Sequence, residues 1–296
     1  MSIKRTKGEF AFDIFLYILM ILLILIFLYP IWTILARSFN EANDTARGGL
    51  MLWPRIPTLR NFKVVFENEL LSNSYIITIS RTLIGTVAAV TCTGLFAYGL
   101  SKKKLMFRNF YLMVCIITMF FGGGLIATTI NITNLGLANN FLVFIIPGLY
   151  NVMHMLIMKT FFSSLPSSLE ESAIIDGAND YTVFFKIVLP NSMPVISTIA
   201  LMTGVSQWNS WFDAYIFITD KKLMPVQYIL QRIVLGQNAA AEMSKFVPSD
   251  ALLAQAVSPY SVQLATLVVA IGPIVFIYPF FQRYFIKGFL LGAVKE

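Results

Sequence analysis

The chain has 296 residues, of which 57% are hydrophobic and only 12% charged, against roughly 45–50% and about 25% in soluble domains. A mean hydropathy of +0.74 excludes an ordinary water-soluble fold, and the expectation is an all-α, polytopic membrane protein with a single transmembrane domain over residues 1–296. The formal net charge of +7 does not point to nucleic acid, because the basic residues gather at the ends of apolar runs, where lipid topology accounts for them.

A helix needs about 20 apolar residues to cross the hydrocarbon core. Six stretches qualify: Phe12–Leu35, Tyr75–Leu100, Phe107–Thr128, Phe141–Phe162, Met193–Ile218 and Ser261–Phe285. The first follows Lys4, Arg5 and Lys7 as a signal peptide would, but its apolar run is too long and no small-residue cleavage site follows, so a retained helix is expected. Within the third, Gly122–Gly124 is a candidate break. Lys102, Lys103, Lys104 and Arg108 bracket the turn between the second and third spans, whereas the Asn131–Asn140 turn carries no charge. By the positive-inside rule both termini and the Leu165–Pro190 segment are cytoplasmic. Ala36–Ser74 and Thr219–Tyr260 then become external connections. Cys92 and Cys115 sit inside apolar runs, as packing residues rather than a disulfide or metal pair.

Leu165–Pro190, LPSSLEESAIIDGANDYTVFFKIVLP, is polar and acidic in an otherwise apolar chain. Ser167 and Ser168, each followed three residues later by Glu170 or Glu171, offer two overlapping capping boxes, and a short helix of about residues 168–179 is expected. Leu169, Ala173 and Gly177 recur at four-residue spacing on one face, with Ser172 and Ala178 keeping neighbouring positions small. Gly177 costs about 1 kcal/mol relative to Ala in a helix interior, so it ends the helix or admits a neighbouring backbone. Pro190 and Pro194 mark the return to the membrane. On local pattern alone an interfacial helix that caps itself and a docking helix are equally good readings.

Glu171-Ser172-Ala173, three residues, Gly177, nine residues and Ile187-Val188-Leu189-Pro190 together resemble the EAA motif of ABC importer permeases, with serine where that motif usually has alanine. The resemblance implies a type I permease fold with six transmembrane helices. It makes the segment a coupling helix seated in a cleft of an ATPase subunit, with Glu171, Ser172, Ala173, Asp176, Gly177, Ala178, Ile187 and Pro190 as ATPase-coupling positions. Met119–Asn140, Trp208–Gln227 and Phe280–Glu296 further resemble carbohydrate-uptake permeases of the maltose type, and more closely those serving complex oligosaccharides such as alginate. That family implies a second, homologous permease subunit, two ATPase subunits, an extracytoplasmic solute-binding protein and an oligosaccharide, in a bacterial cytoplasmic membrane. Lys287, Gly288, Gly292 and Lys295 resemble the tail that reaches toward the ATPase; equally, Arg283, Lys287 and Lys295 suit cytoplasmic anchoring of the last span.

The chain carries no G-x-x-x-x-G-K-[ST] loop and no H-E-x-x-H pair. ATP and Mg are therefore expected on partner subunits, with no catalytic residue, cofactor or metal on this chain. The sole histidine, His154, lies within the fourth span and reads as a packed residue or as part of a pathway. The outer half of the fifth span holds Gln207, Trp208, Asn209, Ser210, Trp211, Asp213 and Tyr215, with Ser206, Asn209 or Ser210, and Asp213 on one stripe. Aromatic faces and amide or carboxylate groups suit sugar rings. An interfacial Trp belt with Asp213 tying two helices together explains the same residues. Arg81 in the second span is a salt-bridge partner for Asp213, part of a path for an acidic sugar, or a snorkelling cation. The functional alternative is a secondary transporter or channel driven by an ion gradient, which calls for ionisable groups clustered at mid-membrane or for discontinuous helices in repeated halves.

Overall fold

The computed structural model describes residues 7–235 and 257–293. Three helices are long and apolar enough to cross a membrane alone: Gly8–Ser38 within α1 (Lys7–Ser38), α4 (Glu69–Ser101), and Pro259–Phe276 within α14 (Pro259–Ala293). Three further helix pairs pass only when taken together, each bent at a short break, so the count reaches six if every bent pair is one span. Along α1 the most apolar window has a mean hydropathy of 3.0 and none of it is buried in the chain. A helix apolar all round and uncovered is stable in hydrocarbon, not in water.

Two of the bent pairs and one further break revise the form of three expected spans. Phe107–Thr128 is split into α5 (Arg108–Phe120) and α6 (Gly124–Asn134), which meet at 113°. The break falls at the glycine run, where Gly124 takes φ 72°, a left-handed conformation that glycine adopts without a Cβ clash. Phe141–Phe162 opens with two 3₁₀ turns, Phe141–Phe144 and Ile146–Gly148, before α7 (Val152–Phe162), at a bend of 48°. Pro147 supplies no N–H to continue a helix there. Met193–Ile218 is also not one helix: α11 (Met193–Asn209) stops where Ser210 turns extended, and the short α12 (Phe212–Phe217) follows. Preceding α11, the Asp180–Asn191 stretch joins it at 85°, beside Pro190 and Pro194.

Contacts divide the chain into two compact units. One comprises residues 1–69 and 233–269, of which the described part includes α1 and the connection after it. That connection is folded around buried Asn40. Its Nδ2 donates to Asp44 Oδ2 (2.9 Å) and Thr45 Oγ1 (3.0 Å), and its Oδ1 accepts from the Ile56 amide (2.7 Å). Asn61 Nδ2 donates to the carbonyls of Ser38 and Asn40, tying α3 (Arg60–Glu67) to the end of α1 and the turn before α2 (Ala42–Ala46). Hydrogen bonds from these two buried side chains fix one arrangement of the connection, with Asn61 Oδ1 left without a hydrogen-bond partner among the described residues.

The other unit comprises residues 70–232 and 270–296. Its core gathers Ala97, Tyr98 and Leu100 of α4, Cys115 of α5, Met155, Met158 and Phe162 of α7, and Val195, Ile196 and Ile199 of α11. Val183, Phe184 and Val188 complete it, from α9 (Asp180–Val183) and the π-helical turn Phe184–Val188 that leads through α10 (Leu189–Asn191). Lipid tails are as apolar as leucine, so such helices associate through close packing and internal hydrogen bonds rather than by escaping water. Cys115 is buried in this core and Cys92 is exposed on α4.

Candidate functional site

The acidic segment folds as α8 (Ser167–Ile175), starting one residue before the capping boxes require. Pro166 occupies the N-cap and has no side-chain oxygen to offer, so neither box forms. Ser172 Oγ instead donates to the Ser168 carbonyl (2.8 Å), and Glu170 turns outward to pair with Lys102. The C-terminus is closed by a Schellman arrangement. The Ala178 amide donates to the Ala173 carbonyl (2.9 Å) and the Gly177 amide to that of Ile174 (3.0 Å), with Gly177 at φ 87°. Asn179 then caps α9 through its Oδ1 and the Thr182 amide (2.9 Å).

No residue of α8 is fully buried. Ala173 and Ala178 lean on the core, whereas Glu171, Leu169, Ile174, Ile175, Asp176 and Gly177 are exposed, Ile175 to 85%. A Cβ built on Gly177 would meet nothing within 4 Å, so its place in the chain reflects backbone conformation and leaves open space beside it. Ile187 is half-buried in the π turn and Pro190 sits in α10, which turns the chain into α11.

Lys102 stands just past the end of α4. Its Nζ pairs with the Glu170 carboxylate and lies 3.9 Å from the centroid of the Tyr98 ring. Tyr98 in turn packs on Phe184, ring centroids 5.2 Å apart. Neighbouring Arg108 donates through Nε to the Leu100 carbonyl (2.8 Å), satisfying one of the last carbonyls of α4. In the sequence Lys102 and Arg108 stand out only as topology signals; a partner 68 positions away leaves no local mark.

Further along α4 lies Arg81, only 1% exposed. Its Nη2 donates to Asp213 Oδ2 (2.5 Å) and Gln207 Oε1 (3.1 Å), and its Nη1 to Asp213 Oδ1 (3.3 Å) and the Ser210 carbonyl (3.2 Å). Its Nε reaches Gln207 Oε1 (3.3 Å), and the Phe144 ring covers the guanidinium at 4.2 Å. Gln207 Nε2 completes the cluster by donating to the Phe144 carbonyl (3.1 Å). Arg81 thus holds both sides of the α11–α12 break, and the Ser210 carbonyl freed by that break finds a charged donor. Of the three readings open for Arg81, the geometry is that of a closed pair with Asp213. Gln207, already among the polar residues of the fifth span, and Phe144, which the sequence does not mark, are the other members; Gly85, one helical turn along from Arg81, has no Cβ and leaves room for the Gln207 side chain.

Beside the break is an open pocket of about 440 Å³ lined by Met202, Val205, Ser206, Asn209, Ser210, Trp211 and Phe212. Its polar groups are hydroxyls and an amide, and its walls are aromatic and aliphatic, with no charged lining residue. Trp211, Phe212 and Tyr215 form an aromatic cluster there, Tyr215 being largely exposed. Trp208 points elsewhere: it is buried, and its Nε1 donates to the Ala270 carbonyl (3.0 Å). His154 faces Thr203, with Nδ1 and Oγ1 3.4 Å apart. Lys287, Gly288 and Gly292 lie on the helical backbone of α14, and Lys295 lies outside the described residues. Among the described residues no group of His, Cys, Asp and Glu is arranged to hold a metal.

Bent spans, a polar pocket at a helix break and an uncovered acidic helix define a polytopic membrane permease. No protein-family model matches the chain. It is 35% identical over 288 residues to a polygalacturonan/rhamnogalacturonan transport system permease protein of Bacillus subtilis strain 168, covering 96% of this chain and 98% of that one. It is 26% identical over 274 residues to an arabinooligosaccharides transport system permease protein of Halalkalibacterium halodurans, covering 90% and 91%. Among solved structures, a bacterial ABC transporter involved in the import of the acidic polysaccharide alginate aligns with a TM-score of 0.87 at 29% identity, over 96% of this chain and 100% of that one. The chain belongs to the family of ABC carbohydrate-import permeases.

Proposed function

We propose that this chain is the membrane-spanning subunit of an ATP-driven importer for an oligosaccharide delivered by an extracytoplasmic solute-binding protein. A second, homologous permease completes the translocation path, and two ATPase subunits bind the ATP and Mg that this chain has no loop to hold. The complex sits in the bacterial cytoplasmic membrane with both chain termini and α8 on the cytoplasmic face, in keeping with Lys102–Lys104 at the same end as α8.

The observation that carries this reading is α8 itself. A stopped helix, with Glu171 and the apolar Leu169, Ile174 and Ile175 turned away from the rest of the chain, is suited to insert into a cleft of a partner. Glu171, Ser172, Ala173, Asp176, Gly177 and Ala178 form the contact, while Ile187 and Pro190 carry its displacement into α11. Lys287, Gly288, Gly292 and Lys295 extend the same contact from the C-terminal tail.

In operation, closure of the ATPase pair moves α8 and opens the path outward, so that sugar leaves the binding protein and meets the pocket beside Asn209 and Trp211. A gradient-driven carrier is less well supported, because the guanidinium of Arg81 is saturated by Asp213, Gln207 and Ser210. Purification of the chain from membranes of its native host, followed by identification of the associated polypeptides, tests the proposal. Recovery of two ATPase copies, a second permease and a binding protein is the expected result; recovery of a homomeric complex without an ATPase overturns it.

A further inference from the structure

We infer that α4 is a lever between α8 and the α11–α12 break, and that Glu170 and Lys102 are positioning residues that couple the two. The inference rests on the importer reading and goes beyond it, since it assigns the transmission to a helix and an ion pair outside the acidic motif. α4 runs 33 residues without proline. By contrast, the spans around it bend by 113°, 48° and 85°. A continuous hydrogen-bonded helix moves as a body, whereas each break is a joint that absorbs displacement.

Both ends of this lever are fastened. At one end the Lys102 ammonium joins the Glu170 carboxylate and rests on the face of Tyr98, whose ring packs on the fully buried Phe184. α8 also rests Ala173 on the core beside the π turn, and among the described residues Glu170–Lys102 is the ion pair that ties it to the end of α4. About 30 Å away along the same helix, at 1.5 Å per residue, Arg81 grips Gln207 at the end of α11, the Ser210 carbonyl at the break and Asp213 in α12. A push on α8 therefore tilts α4 through Glu170–Lys102 and shifts the break that lines the pocket.

The test uses the whole complex, purified from the native host and placed in lipid nanodiscs, with Cys92→Ser, Cys115→Ala and a reporter thiol at Ser206→Cys in the pocket. Labelling by a membrane-impermeant maleimide is timed with and without ATP, Mg and vanadate. In this background nucleotide trapping is expected to change the labelling rate by roughly tenfold, and in Glu170→Gln or Lys102→Met by less than about twofold, with vanadate trapping itself unchanged. The exchange Glu170→Lys with Lys102→Glu is expected to restore the response. Single variants that respond like the background overturn the lever, as does an exchange variant as unresponsive as the singles. A background that does not respond to trapped nucleotide overturns the importer reading and the lever with it.

Discussion

Arg81 and Asp213 are 132 positions apart in sequence and meet as a two-point charge pair, Nη2 to Oδ2 at 2.5 Å and Nη1 to Oδ1 at 3.3 Å. The arginine is fully enclosed while the carboxylate keeps a quarter of its side-chain surface, 24%. Neither charge is therefore symmetrical in its dependence on the other.

Removing one partner of a buried pair costs about 3–5 kcal/mol, because the remaining charge is left uncompensated. Arg81→Met is expected to approach that range, since it also orphans Gln207 Oε1 and the Ser210 carbonyl. Asp213→Asn is expected to cost at least as much, because it leaves the fully enclosed Arg81 guanidinium without a counter-charge. Arg81→Lys keeps the charge but loses the planar fork that serves three acceptors, and is expected to cost less than either removal. Thermal unfolding of the detergent-solubilised protein checks the order; equal midpoints for wild type and Arg81→Met would refute it.

Gly85 lies against the same cluster, and a Cβ there would meet Gln207 Nε2 at 2.9 Å and Cδ at 3.0 Å. Gly85→Ala is expected to displace Gln207 from Arg81 and to destabilise by about 1–3 kcal/mol, the usual scale of overpacking. Adding Gln207→Ala relieves the clash but leaves Arg81 short of an acceptor, so the two changes are expected to be strongly non-additive. Double-mutant cycles on the unfolding midpoint measure this, and simple additivity would contradict the geometry.

How far this was legible in the chain depends on how local each feature is. Apolar runs such as Phe12–Leu35 and the glycine run at Gly122–Gly124 announce a span and its break through composition and backbone freedom alone. The α11–α12 break was hidden, because Asn209-Ser210-Trp211 contains no proline or glycine. Its cause is tertiary: the Ser210 carbonyl turns to Arg81, and the Asp213 carboxylate caps its own neighbour, Ala214, at 2.8 Å. Likewise the capping boxes at Ser167 and Ser168 were plausible patterns that lost to Pro166 at the N-cap and to Lys102 as a stronger partner for Glu170. Charge pairs across 68 or 132 positions are written in the fold and not in any window of sequence.

Gly177 offers a prediction that separates backbone from contact. At φ 87° a non-glycine residue is strained by about 1 kcal/mol or more, and asparagine tolerates the left-handed region better than a β-branched residue. Gly177→Val is expected to unwind the Schellman closure and lower both helix order and ATPase assembly, while Gly177→Asn keeps the closure. If the open space beside Gly177 receives the ATPase, Gly177→Asn still loses assembly by sterics. Co-purification of the ATPase with each variant, alongside the monomer's thermal midpoint, distinguishes the two effects.

Glu171 is exposed and makes no ion pair among the described residues, unlike its neighbour Glu170. Glu171→Lys is therefore expected to leave insertion and the unfolding midpoint within about 0.5 kcal/mol of wild type, as exposed substitutions do, yet to abolish uptake by reversing the charge proposed to face the ATPase. Wild-type ATPase assembly and uptake in this variant would count against α8 as the coupling helix.

The pocket leads to a prediction about substrate. Ser206, Asn209 and Trp211 line it without a charge, and Arg81 behind them is already saturated by Asp213, Gln207 and the Ser210 carbonyl. A sugar seated here would be held by hydroxyl–amide hydrogen bonds and by its C–H face on Trp211, contacts indifferent to a carboxylate on the ring. Asn209→Ala and Trp211→Ala are then expected to weaken uptake of neutral and uronate oligosaccharides to the same degree, each by about 0.5–1.5 kcal/mol for one neutral hydrogen bond or ring contact. Uptake into proteoliposomes containing the full complex, measured for a matched neutral and acidic trisaccharide, checks this. A selective loss of the acidic sugar would mean that Arg81 leaves Asp213 during transport to meet the substrate carboxylate, and the pair would then be a switch rather than a clasp.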